Sequence, residues 1–94
     1  MLLTLMLLAA VQGVVVAQNG SPLPGVAVTL AQGAARTTVV TDVKGKFAFP
    51  NAADGPYTVI AELNGFGPAE VKGTGAASLT IPMKLRLEES SAFG

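Results

Sequence analysis

Asn19–Leu30 reads NGSPLPGVAVTL, and Thr41–Phe49 reads TDVKGKFAF. Each stretch starts on a glycine turn and runs into alternating apolar and small residues. Asn19-Gly20 is a tight-turn pair, and Pro22-Leu23-Pro24-Gly25 follows at once. Proline presets φ at about −65° and glycine accepts positive φ, so this stretch bends and delivers the chain into a strand. Asp42-Val43-Lys44-Gly45 reads as a second strand–turn–strand connection, and the Asp42 carboxylate is placed to cap its own turn. In KFAF the alternation puts Phe47 and Phe49 on one face.

The same punctuation divides the rest of the chain. Strands are expected at Val11–Gln18, Gly25–Gln32, Arg36–Thr41, Lys46–Phe49, Tyr57–Leu63, Ala69–Lys72 and Ser78–Leu87. Pro50–Gly55 reads as a loop whose Asp54-Gly55 pair is turn chemistry, and Asn64-Gly65 opens another turn. Leu79, Ile81, Met83, Leu85 and Leu87 share one face of the last segment. Pro82 inside it cannot donate to a ladder, which predicts an edge strand or a bulge. No helical period appears after residue 17. Short strands punctuated in this way predict an all-β sandwich or barrel.

Composition narrows the function. A chain of 94 residues makes one domain. Half of the residues are hydrophobic and 13% are charged, about half the usual ~25%. Such a chain leaves apolar surface exposed, and large apolar patches mark contact sites. Six basic and six acidic residues balance. Arg36, Lys44, Lys46, Lys72, Lys84 and Arg86 are scattered, so no basic stripe exists for nucleic acid. There is no Cys and no His. That removes Ser–His and Cys–His nucleophiles, thiol redox chemistry and nearly all zinc sites. Among the carboxylates Asp42, Asp54, Glu62 and Glu70, no pair shows metal-loop spacing. The sequence therefore predicts no enzyme, no cofactor and no metal.

Met1–Val11, MLLTLMLLAAV, leads into Val14-Val15-Val16-Ala17. Three readings stand. It is a secretory signal, with cleavage after Gly13 or Ala17 but no basic n-region. It is an anchor, although Gln12 and Gly13 interrupt it and it falls short of the ~20 residues of a span. Or it is an assembly strand, against the helical leaning of Leu and Met. Asn19-Gly20-Ser21 is an N-glycosylation sequon on an expected surface turn, which makes Asn19 a candidate glycan acceptor. Tyr57, Phe47, Phe49 and Phe66 read as core, with a sugar-stacking platform as the competing reading. Phe93, in the polar tail EESSAFG, has no local core to join.

With these turns placed, Val11–Leu87 resembles the carboxypeptidase regulatory-like domain. The resemblance rests on Gly13-Val14-Val15, Gly20, Pro22-Leu23-Pro24-Gly25-Val26 and Thr41-Asp42-Val43-Lys44-Gly45-Lys46-Phe47-Ala48-Phe49. It continues through Gly55-Pro56-Tyr57-Thr58-Val59 and Gly65-Phe66. One departure is Ala17, where the family often carries Asp at the end of its first strand. The resemblance implies a transthyretin-like fold, here a seven-stranded antiparallel Greek-key β-sandwich with an apolar N-terminal extension. Residues 1–10 would be that extension, 11–87 the sandwich and 88–94 a polar tail. Gly20, Pro22, Pro24, Gly25, Asp42, Gly45, Gly55 and Gly65 would be its structural turn residues.

The family is non-catalytic, and its members serve as accessory modules of peptidases, of outer-membrane transporters and of surface proteins. The resemblance thus implies an extracytoplasmic module. A freestanding copy is expected to work alone or to polymerise into an oligomer or filament. Strand addition is the expected mechanism. Leu2, Leu3, Leu5, Leu7 and Leu8 are the expected donor residues, with Phe93 as a second anchor. The competing reading is an accessory module for a glycan or a cell-surface protein. Contact with a membrane is expected only through an N-terminal signal.

Overall fold

The computed structural model describes residues 8–53 and 55–85. Seven strands follow in chain order: β1 (Leu8–Ala17), β2 (Ala27–Gln32), β3 (Ala35–Val40), β4 (Lys46–Ala53), β5 (Pro56–Glu62), β6 (Ala69–Thr74) and β7 (Ala77–Met83). They form a three-stranded sheet, β4-β1-β7, and a four-stranded sheet, β3-β2-β5-β6. No helix occurs among the described residues. The protein is an all-β, two-sheet sandwich, as its sequence predicts.

Alternation builds the core. Tyr57, Val59 and Ala61 of β5 point inward, as do Phe47 and Phe49 of β4 and Ile81 and Met83 of β7. The Phe47 and Phe49 rings meet at 5.9 Å, tilted by 59°, a favoured aromatic geometry. Val11 and Val15 of β1 face them and are fully buried. β1 is therefore the central strand of its sheet, antiparallel to β4 and parallel to β7.

That parallel pair departs from the all-antiparallel expectation. Chain reversal at glycine turns sets antiparallel neighbours, whereas β1 and β7 are brought together only by closure of the whole domain. β1 also starts earlier than expected. Leu8 and Ala9 pair with Ala53 and Ala52, so part of the apolar extension belongs to the β4-β1-β7 sheet. Signal cleavage after Gly13 would remove the part of β1 that carries Val11, and cleavage after Ala17 would remove the whole strand, Val15 included. Pairing overrides the helical propensity of this segment.

Pro50–Ala53 is strand rather than loop. The β1–β4 register shifts between Ala9 and Val11, which gives β4 one extra residue opposite β1. The shift is a β-bulge, and it accommodates Pro50 on an edge strand. Pro82 also lies on an edge strand, β7. Leu85 departs from its expected face: it is 61% exposed. It has left the strand and makes only an isolated bridge to Phe66. Leu87 lies outside the described residues.

Candidate interaction surface

The Pro22–Gly25 bend and the Asp42–Gly45 turn pack against each other at one end of the sandwich. Thr41 joins them and is the buried polar side chain of the described core. Its hydroxyl accepts the Val26 N–H at 2.9 Å and donates to the Leu23 carbonyl at 2.7 Å. Its backbone N–H donates to the Val26 carbonyl, and its carbonyl accepts the Gly25 N–H. Read along the sequence, Thr41 is one more polar residue at a strand end. Only the fold brings Leu23 and Val26 to both sides of its hydroxyl.

Asp42 Oδ1 accepts the Lys44 and Lys46 N–H groups, both at 2.9 Å. These bonds, the Lys46 N–H first, hold its carboxyl below the ordinary value of 3.8. Gly45 has φ 74° and supports the same corner. A side chain there would strike the Val15 carbonyl oxygen at 2.6 Å. Gly20, Gly25, Gly55 and Gly65 also take positive φ, from 77° to 130°. Pro22 and Pro24 are exposed, and Pro22 bridges to Val16. Asn19 is exposed, and its side-chain oxygen accepts the Ser21 N–H at 3.0 Å. All these residues shape turns.

The aromatic residues do not form a platform. Tyr57 is 5% exposed, with its ring laid over Gly73 of the neighbouring strand. Phe47 and Phe49 are buried, and Phe66 is half-buried against the core. This corrects the sugar-stacking reading, because stacking needs an exposed ring face. Glu62 and Glu70 are exposed on neighbouring strands. No group of three or more Asp or Glu that could hold a metal occurs among the described residues. Leu2, Leu3, Leu5, Leu7, Asp54 and Phe93 lie outside the described residues. Leu8 pairs with Ala53 in its own sheet.

What remains distinctive is one sheet edge. Among the described residues the sandwich has four edge strands: β4, β7, β3 and β6. β4 carries Pro50, a bulge and Lys46; β7 carries Pro82; β6 carries Glu70, Lys72 and Gly73. Proline, bulges and charge protect edges from further pairing. β3, ARTTVV, has no proline, no bulge and a single charge at Arg36. Val40 at its end is 64% exposed, and Val43 in the following turn is 83% exposed. Beside them opens a groove of about 660 Å³ whose lining includes Val39 and Val40 together with Val14, Ala48 and Thr80. Asp42 and Lys46 add one charge of each sign to its lining.

The family model described as the carboxypeptidase regulatory-like domain matches residues 10–88. The chain belongs to this family. No curated protein matches the sequence. Solved structures share the fold at low identity. The Klebsiella pneumoniae 5-hydroxyisourate hydrolase is 19% identical with a TM-score of 0.69, over 87% of this chain and 92% of that one. The Bacillus anthracis TIE protein is 15% identical with a TM-score of 0.67, over 83% of this chain. BcpA, the major pilin subunit of Bacillus cereus, is 16% identical with a TM-score of 0.63, over 84% of this chain. The chain spans only 16% of the TIE protein and 30% of the pilin subunit. At these identities the likeness is one of fold alone.

Proposed function

We propose that this regulatory-like domain is a non-enzymatic extracytoplasmic structural module that associates with copies of itself by strand addition. The observation that carries the reading is the β3 edge, which alone among the four described edges combines the absence of proline and bulge with no more than a single charge, Arg36. Backbone hydrogen bonds along such an edge supply affinity, and alternate side chains supply register. The exposed Val40 and Val43 beside it add apolar area to be covered. Zero net charge does little to oppose self-contact. A pilin subunit among the structural neighbours supports a place on the cell surface.

The test is the solution mass of the full chain by light scattering, with electron microscopy for filaments. It is repeated for a chain lacking residues 1–7 and for Thr38→Pro. Proline at an outward-facing edge position removes a donor from the edge while the fold is kept. Association that Thr38→Pro abolishes supports the reading. A full chain that stays monomeric at high micromolar concentration refutes it.

A further inference from the structure

We infer that the strand added to β3 is β3 of a second copy, paired antiparallel about a two-fold axis through Thr38. The inference rests on the proposed self-association and names its interface.

Pairing along β2 and β3 fixes which backbone groups are free. Thr41 donates its N–H to the Val26 carbonyl, so 26 and 41 form a hydrogen-bonded pair. Antiparallel ladders alternate hydrogen-bonded and non-bonded pairs. Val28↔Val39 and Leu30↔Thr37 are then bonded, while Ala27↔Val40, Thr29↔Thr38 and Ala31↔Arg36 are not. The side chains agree, since the Thr29 and Thr38 hydroxyls meet at 2.8 Å, as the closer spacing of a non-bonded pair allows. The N–H and C=O of Arg36, Thr38 and Val40 therefore face away from β2, and no strand lies beyond them among the described residues.

These three residues are symmetric about Thr38. Two antiparallel copies bring Thr38 opposite Thr38 and Arg36 opposite Val40, and every outward backbone group finds a partner. The two Arg36 residues stand four positions apart, about 13 Å at ~3.3 Å per residue, beyond the screening length of roughly 8 Å at physiological salt. The Arg36 stem instead lies along the exposed Val40 of the other copy. The Thr29–Thr38 hydroxyl contact is repeated across the axis. The four-stranded sheet becomes one continuous sheet through both copies, with the two β3 strands at its centre. A two-fold contact of this kind closes on itself and makes a dimer, not a filament.

The chain has no cysteine, so a single introduced thiol reports the register. In the paired geometry Thr38 Cα atoms are about 5.5 Å apart, within disulfide reach. Full-length Thr38→Cys treated with diamide is expected to give a covalent dimer, and so is the chain lacking residues 1–7. Arg36→Cys or Val40→Cys alone should give little, and the two mixed should give a heterodisulfide. Association that is lost with residues 1–7 and gives no Thr38→Cys dimer overturns the two-fold pairing, yet leaves strand addition standing with that segment as donor. A monomer in every case overturns both.

Discussion

Gly13 offers the sharpest test of the packing. It sits in the central strand between Phe47 and Leu79, its register partners on either side. A methyl carbon there would lie 2.9 Å from Phe47 Cζ and 2.9 Å from the Leu79 carbonyl carbon, and closer still to the carbonyl oxygen. Phe47 is backed by Phe49 at 5.9 Å and is buried, so the ring has little room to turn. The Leu79 carbonyl is backbone and moves only with its strand. Gly13→Ala must therefore push β1 and β7 apart.

Overpacking costs about 1–3 kcal/mol, and a locally opened ladder forfeits roughly 1 kcal/mol per hydrogen bond. Together these give a loss of about 3 kcal/mol. A domain of this size has roughly 5–14 kcal/mol in all. At ~4–8 °C per kcal/mol the melting point falls by roughly 12–24 °C. Thermal melts followed by far-ultraviolet circular dichroism measure the shift. Gly67→Ala is the control, since its new carbon meets only the Lys84 carbonyl oxygen at 3.9 Å. If Gly13→Ala melts within two degrees or so of the parent, the close approach of β1 and β7 is wrong.

Other expectations follow from the same contacts. Thr41→Val keeps the shape but strands the Val26 N–H and the Leu23 carbonyl, and should cost about 1–3 kcal/mol in urea unfolding. Ile81→Ala leaves a cavity in a fully buried site and should cost about 2–5 kcal/mol by the same assay. Asp42 contributes stability above the unfolded-state value of 3.8 and loses it as pH falls through its lowered folded value. The melting points of the parent and Asp42→Asn should therefore converge in acid, and a gap that stays constant down to pH 2 refutes the capping role.

The turns and the inward faces were legible because their signals are local. Asp42-Val43-Lys44-Gly45 specifies its own geometry, and YTVIA announces Tyr57, Val59 and Ala61 by period alone. What could not be read is what distant residues impose. Leu8–Ala10 have helical leanings and become strand because β4 pairs with them. Pro50 looks like a strand terminator until the bulge beside it is seen. Thr41 acquires its role only when Leu23 and Val26 close around it. The open edge was half legible: RTTVV is visibly β-branched, but its position at a border follows from the order of the sheets.

The side-by-side placement of β1 and β7, running the same way from Val11↔Ala77 to Ala17↔Met83, has a mechanical consequence. Tension applied across the domain from its two termini pulls these neighbours in opposite directions along their length. The load is shared by the whole row of bonds at once instead of peeling them singly. Such an arrangement resists stretching, and its lifetime under pull is set by the unfolding rate.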